Sequence, residues 1–354
     1  LKAASDILKQ QPVEASAPCR IDMGGTLDIR TFTYPLRHLA PCTFNIALDL
    51  RTRIRLLPYR SGRIKVTSRG FEAAEFASDA APFRHPLGLM FATAAYFRVS
   101  SVHVHIESAS PPRSALGGSS AAAVALIGAC CRLRQLATGR KIPDLRQIAL
   151  LAQAIEESVA GVPCGYQDQL AAAFGGVNAW QWLGDVRRAV YKRRRMDTDG
   201  YHRELMRHVL VAYCGRPHES RDINGQWVRQ FLAGRYRALW TDIVQLTRKF
   251  VQAVSGLDFR QAAEVMNQET AIRSRMTPGV LDEMGRRLSA SAAERGCGAR
   301  FTGAGGGGCV WAIGESKQIR RLRSDWLRLL EHFPQAGLLD VGVDRSGLKI
   351  GRNA

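Results

Sequence analysis

Pro111-Pro112-Arg113-Ser114-Ala115-Leu116-Gly117-Gly118-Ser119-Ser120-Ala121-Ala122 is the stretch on which the reading of this chain turns. Its two prolines stop any regular structure before them. A run of small residues then leads into an alanine-rich apolar segment, residues 121–133, that reads as a helix. A Gly/Ser turn feeding a helix start exposes free backbone N–H groups and the positive end of the helix dipole. That makes an anion site, and phosphate is the anion that most often calls for backbone this close. The same residues also suit a plain turn with Ser119 or Ser120 as N-cap.

Three other stretches bear on that choice. Arg300-Phe301-Thr302-Gly303-Ala304-Gly305-Gly306-Gly307-Gly308-Cys309-Val310-Trp311 is a second glycine loop, with apolar residues on either side. Gly161-Val162-Pro163-Cys164-Gly165-Tyr166-Gln167-Asp168-Gln169 sets an acid on a short loop before an apolar helix start at Leu170. Arg20-Ile21-Asp22-Met23-Gly24-Gly25-Thr26-Leu27-Asp28 reads as a strand ending in a glycine turn. With the central stretch, these resemble the GHMP small-molecule kinases, in the family's own order. The family motif P-x-x-x-G-L-G-S-S-A-A stands here as the run from Pro112 to Ala122, with Ala115 and Gly118 where Gly and Ser are usual.

The resemblance implies an α+β chain with the two-domain GHMP kinase fold. The N-terminal domain would be like ribosomal protein S5 domain 2, the C-terminal one ferredoxin-like, and the active site would lie between them. We expect an extension over residues 1–16, an ATP-binding domain over 17–198 and a second domain over 199–354. ATP would be held by Pro112, Ser114, Ala115, Leu116, Gly117, Gly118, Ser119, Ser120 and Ala121. Mg²⁺ would be held by Ser119, with Ser120 as the alternate, and by Glu156, with Glu157 as the alternate; hard oxygen ligands suit that ion. Asp168 would be the base that accepts the hydroxyl proton. Read without the family, it is a cap for the helix that follows. Arg20 would lie beside the reacting hydroxyl, and Arg20, Gly25, Thr26, Asp28, Gly165 and Asp168 would bind the substrate.

The Gln167-to-Asn178 run resembles the D-glycero-D-manno-heptose 7-phosphate kinase branch, and Arg20-to-Gly25 resembles the fucokinase kinase domain. The first implies transfer of the ATP γ-phosphate to the anomeric hydroxyl, giving the 1,7-bisphosphate. An unphosphorylated sugar 1-kinase of fucose or galactose type is the alternative enzyme. A non-catalytic sugar- or nucleic-acid-binding relative is the alternative from another class.

Composition fits this picture. The 354 residues suffice for two domains. The Walker pattern GxxxxGK[ST] is absent, so any phosphate cradle must be the central turn. The eight cysteines are scattered, with no CxxC and no Cys/His zinc spacing, and read as reduced thiols. The longest strongly apolar run, 121–131, is too short to span a bilayer, and Leu1 to Asp6 lacks a signal-peptide core. We therefore expect a cytoplasmic enzyme, monomer or homodimer, with a small-molecule partner and neither membrane nor nucleic acid. The formal charge of +19 includes the run Lys192-Arg193-Arg194-Arg195, which reads as a solvated loop or face. A positive field also suits ATP and a phosphorylated substrate. Strands are expected at 42–57, 63–68, 102–106, 205–213 and 309–313. Helices are expected at 85–97, 144–160 capped by Asp144, 227–255, 259–273, 281–295 and 316–330, and a polar connection at 192–199.

Overall fold

The computed structural model describes residues 4–185, 189–197, 200–216 and 222–351. Its larger sheet contains β1 (Val13–Met23), β2 (Cys42–Pro58), β3 (Arg63–Ser68), β4 (Ala74–Ala77), β5 (Val102–Ser108), β6 (Val177–Trp182) and β7 (Tyr191–Arg195). The smaller one contains β8 (Val209–Tyr213), β9 (Gly298–Phe301), β10 (Cys309–Ile313) and β11 (Gly337–Leu339). A last short strand, β12 (Lys349–Ile350), returns to the larger sheet beside β1. The helices are α1 (Ala4–Gln10), α2 (Arg30–Leu36), α3 (Gly88–Tyr96), α4 (Gly118–Thr138), α5 (Leu145–Ala160), α6 (Gln167–Phe174), α7 (Tyr201–Met206), α8 (Ile223–Leu232), α9 (Arg237–Ser255), α10 (Phe259–Met276), α11 (Glu283–Glu294) and α12 (Ser316–Leu330).

The larger sheet runs β12-β1-β2-β5-β3-β4, and the first half of β2 also pairs with β6, which carries β7. One long strand therefore changes neighbours along its length: Cys42 to Ile46 face β6, and Thr52 to Pro58 face β5. Opposite it, β1 shifts register between Pro18 and Cys19. Proline lacks the ladder donor, so a bulge is where a strand tolerates it. The smaller sheet runs β11-β8-β10-β9, all antiparallel. Numbered by their own sequence, its strands stand in the order 4-1-3-2, with α8 to α11 between the first and second and α12 between the third and fourth. That is the ferredoxin-like arrangement expected.

The segment expected as an N-terminal extension holds α1, whose Ile7 and Leu8 are buried, and the opening of β1. β12, from the segment assigned to the second domain, pairs with Ala15 and Ser16. Three expectations need correction. The strand expected at 205–213 begins only at Val209, because Leu205 and Met206 end α7. Residues 227–255 are not one helix: Gly234 and Tyr236 adopt left-handed φ and separate α8 from α9. Residues 192–195, expected in a connection, lie in β7; 198 and 199 fall outside the described residues. Alternation along β7 turns Arg193 inward over the rings of Phe174 and Trp180, while Lys192 and Arg194 are exposed.

α4 is longer than the apolar run that announced it. At 21 residues it is long and apolar enough to cross a bilayer by length and composition. Its stretch from Ser120 to Cys131 is buried within the protein, against β1, β2, α5 and α6. The cysteines are free, and all but Cys164 are buried. Burial pushes the thiols of Cys42, up to about 12, and Cys130 well above their ordinary range.

Candidate active site

The central turn lies between the two sheets and is tied to both. The Arg20 N–H of β1 donates to the Leu116 carbonyl at 2.9 Å, and the Cys309 N–H of β10 to the Ser114 carbonyl at 2.9 Å. The second glycine loop packs directly on it. A Cβ at Gly308 would lie 2.6 Å from the Ser114 oxygen, and one at Gly303 would lie 3.2 Å from the Ala115 oxygen. Gly117, at φ 74, caps α4, so the helix begins at Gly118. Ser119 and Ser120 are thus inside the first turn and do not cap it.

Their hydroxyls reach across to α5 instead. Ser119 Oγ donates to Glu156 Oε1 at 3.0 Å and Ser120 Oγ to Glu156 Oε2 at 2.8 Å. Gln169 Nε2 donates to the same Oε2 at 2.7 Å. Glu156 is placed there by a helix that starts on the expected Asp144 cap, completed into a capping box by Gln147. Burial raises the Glu156 carboxyl above its ordinary range, although the Ser120, Gln169 and Ser119 bonds oppose this. Glu157 goes elsewhere and accepts from Gln153 at 3.1 Å.

Asp168 lies in the first turn of α6, yet its side chain does not cap that helix. Both of its oxygens accept from Arg20: Nε to Oδ1 and Nη2 to Oδ2, each at 2.8 Å. The third guanidinium nitrogen, Nη1, donates to the Ala115 carbonyl at 2.7 Å. One arginine therefore joins Asp168 to the central turn. Its side chain is 4% exposed, against 25% for Asp168, which faces the cavity. Burial works against the Arg20 charge, but Asp168 and Asp22 outweigh it and raise its pKa above the ordinary value.

Asp28 serves the N-terminus of α6: its Oδ2 accepts the Gln167 N–H at 2.9 Å. Burial pushes its carboxyl up to about 6, against that hydrogen bond. It lies so close to the chain that a Cβ at Gly165 would be 1.8 Å from Oδ2, which only glycine allows.

Beneath these residues lies a buried charge cluster that sequence reasoning missed. Glu269 Oε1 accepts from Arg273 Nε at 2.8 Å and Oε2 from Arg300 Nε at 3.1 Å. Arg300 Nη1 donates to Asp22 Oδ2 at 3.1 Å, and Arg273 Nη2 to the Gly25 carbonyl at 2.8 Å. Burial would raise the Glu269 carboxyl, but the two arginines hold it below its ordinary range. Its sequence signal was thin: Glu269 and Arg273 are four apart on a helix, a spacing that usually marks a surface pair.

A cavity of about 710 Å³ gathers the site, within the range of small-molecule pockets. It is lined by Arg20, Thr26, Asp28, Glu156, Gly165 and Asp168, and by the central turn from Pro112 to Ser120 except Leu116. Leu116, Ala121 and Gly25 do not line it. Leu116 and Ala121 are fully buried, and the Ala121 N–H is taken up by the Gly117 carbonyl, 2.9 Å away. The cavity also takes in residues not singled out in the sequence, among them Phe71, Leu87, Met90 and Asn224. They come from turns and helix starts that carry no motif.

Residues 86–176 match the family described as GHMP kinases N terminal domain. This segment carries the GHMP kinase N-terminal domain, and the chain is an ATP-dependent phosphotransferase, a kinase similar to GHMP-type enzymes. The mevalonate kinase of Pyrococcus horikoshii is 24% identical over 336 residues, covering 86% of this chain and 90% of its own. The D-glycero-alpha-D-manno-heptose 7-phosphate kinase of Campylobacter jejuni is 27% identical over 212 residues, 60% of each chain. Among solved structures, a D-glycero-D-manno-heptose 1-phosphate kinase from Bacteriodes thetaiotaomicron superposes with a TM-score of 0.70 at 16% identity. It covers 96% of this chain and 98% of its own, and shares the fold.

Proposed function

We propose that this chain transfers the γ-phosphate of ATP to the anomeric hydroxyl of D-glycero-D-manno-heptose 7-phosphate, with Asp168 as the base. One observation carries the reading: Arg20 binds both oxygens of Asp168 and the Ala115 carbonyl, so base and phosphate turn form one rigid unit at the cavity wall. Phosphoryl transfer asks the protein mainly for positioning and electrostatics. The N–H groups of Gly118, Ser119 and Ser120 open a helix and would meet the phosphates. The apolar lining at Phe71, Leu87 and Met90 suits the adenine. Each Asp168 oxygen keeps an acceptor position beyond its bond to Arg20, enough to take the hydroxyl proton as attack proceeds. Arg20 holds Asp168 in place through both of its oxygens.

Glu156 with Ser119 and Ser120 fits a hard cation. It is a half-buried carboxylate at the cavity wall whose hydrogen-bond partners are all neutral, and all three side chains offer oxygen. These residues would hold Mg²⁺, which when bound offsets phosphate charge. Free thiols and ATP as donor suit a cytoplasmic enzyme; residues 17–198 would serve as its nucleotide-binding domain, joined by α1, the start of β1 and β12, and the rest of 199–354 as its second domain.

For the acceptor, Asp28 and Asp168 present two carboxylates to one end of the cavity, which suits the hydroxyl donors of a polyol. A carboxylate acceptor such as mevalonate fits that end less well. The heptose relative and the Gln167-to-Asn178 resemblance then point to the sugar. Its distal phosphate would lie outward, where the exposed Arg30 is bonded to Tyr166 beside Gly165. The unphosphorylated sugar remains the second reading, because each Arg20 nitrogen already has a protein partner. An ADP-release assay over the heptose with and without its 7-phosphate, galactose, fucose and mevalonate decides. The reading requires the heptose 7-phosphate to give the highest kcat/KM. Preference for a free sugar promotes the second reading, and preference for mevalonate overturns both.

A further inference from the structure

We propose that Glu269, Arg273 and Arg300 are positioning residues that fix, from the second sheet, both the acceptor turn and the Arg20–Asp168 pair. The inference rests on the reading of the site above and adds residues to which no motif assigns a role: Arg300 opens the second glycine stretch, and Glu269 and Arg273 lie in none.

Glu269 and Arg273 come from α10 and Arg300 from β9, and all three are fully buried. One carboxylate holds two guanidinium groups, and each guanidinium then leaves its own sheet. Arg273 reaches the turn after β1, donating from Nη1 to Thr26 Oγ1 at 3.1 Å and from Nη2 to the Gly25 carbonyl at 2.8 Å. Arg300 reaches β1 itself, donating from Nη1 to the Asp22 carbonyl at 3.0 Å and to Oδ2 at 3.1 Å. The other Asp22 oxygen accepts the Gly303 N–H at 2.8 Å and lies 3.8 Å from Arg20 Nη1. Both arms therefore end on cavity-lining residues or their immediate neighbours.

A packing role explains this poorly. Fully buried ion pairs add little stability over apolar side chains of the same volume. The ends of the cluster are also specific. Thr26 sits at φ 81, a conformation that a β-branched residue holds only when its surroundings impose it. Arg273 supplies that restraint, and is itself held 4.7 Å from the rings of both Trp227 and Trp240. On the other arm, Asp22 and Asp168 are rival carboxylates for Arg20. With Arg300 occupying Asp22, Arg20 is left to Asp168. Without it, Asp22 draws Arg20 inward and Asp168 loses its orientation.

The two arms predict different kinetics. Arg273→Lys keeps the charge but cannot span Thr26, Gly25 and Glu269 together; it should raise the acceptor KM about ten-fold with kcat and the ATP KM nearly unchanged. Arg300→Lys should lower kcat about ten-fold with both KM values nearly unchanged. Asp22→Asn in the Arg300→Lys background should recover part of that loss, since the rival charge is gone; a packing defect would instead deepen. All variants are the full chain, checked by near-ultraviolet dichroism, with rates expressed per ATP-binding molecule. The acceptor is whichever compound the wild type turns over best, so a wrong sugar overturns the substrate reading and leaves this test standing. Should the wild type turn over none, calorimetric titration with D-glycero-D-manno-heptose 7-phosphate and with mevalonate reads the Arg273 arm instead, through whichever of the two binds. Unchanged constants per ATP-binding molecule, or additive loss in the double variant, would overturn the proposal and make the cluster purely structural.

Discussion

The loop end of the cavity is made of main chain, whereas the acceptor end is made of side chains. At the loop end, Ser114 to Ser120 is shaped by left-handed residues and by glycine backbone packed against it from residues 303–308. Small residues are needed because nothing larger fits between the two loops. At the acceptor end, Arg20, Asp22, Thr26, Asp28, Gly165 and Asp168 converge from β1, the turn after it and the start of α6. Charge pairs fix them there, and these continue inward to Glu269, Arg273 and Arg300. A backbone site binds any phosphate chain of the right shape, while a side-chain site can choose among acceptors. Substitutions should therefore act differently at the two ends.

The largest effect belongs at the acceptor end. Asp168→Asn removes the proposed proton acceptor and half of the pairing with Arg20 while keeping its shape. We expect kcat to fall about 10²–10⁴-fold with ATP affinity retained, read by steady-state kinetics and nucleotide titration. Turnover like wild type would reduce Asp168 to a structural partner of Arg20. Next, Glu156→Gln should weaken apparent Mg²⁺ affinity about 10–100-fold, with activity partly restored at high Mg²⁺. Because burial holds the Glu156 carboxyl above its ordinary range, the wild type should also lose Mg²⁺ affinity as pH falls, and the glutamine variant should not. A damaged Glu157→Gln beside an unaffected Glu156→Gln would move the role to the neighbour.

How much of each end could be read in the sequence follows from the same contrast. A main-chain site needs glycine and small residues in one continuous stretch, so Pro112 to Ala122 announced itself, as did residues 303–308. The side-chain site is discontinuous. Arg20 and Asp168 are 148 residues apart, and only resemblance to a family joined them. Nothing local distinguished Glu269 and Arg273 from an ordinary surface pair on a helix, because their burial is decided by Trp227, Trp240 and Arg300 arriving from elsewhere. Element positions were plain where the pattern was local, as for β3, β10 and α12. The reading failed at 227–255, where two left-handed residues interrupt a continuous helical pattern.

Two smaller effects sharpen the contrast. Gly308→Ala places a Cβ 2.6 Å from the Ser114 oxygen at φ 86, a strain of about 1–3 kcal/mol. We expect a Tm lower by several degrees and a raised ATP KM, with the acceptor KM unchanged; an unaltered Tm would mean that the loops are not pressed together. Asp28→Asn tests the opposite end by pH. The Asp28 pKa is raised to about 6 in the folded protein, from 3.8. Between those values the native state holds more protons than the unfolded one, so the wild type loses stability as pH rises through that window. The neutral variant escapes this loss. It should gain a few degrees in Tm at pH 8, and the gain should vanish toward pH 4. A gain that is independent of pH would remove ionisation as its cause.

The most direct measurement is the position of the new phosphate. ATP, Mg²⁺ and D-glycero-D-manno-heptose 7-phosphate are incubated with the full chain, and the product is read by ³¹P NMR with proton coupling. The account predicts a second phosphate ester coupled to the anomeric proton, formed by the wild type and almost not at all by Asp168→Asn. A phosphate on any other carbon, or no product from the heptose while mevalonate is phosphorylated, would contradict it.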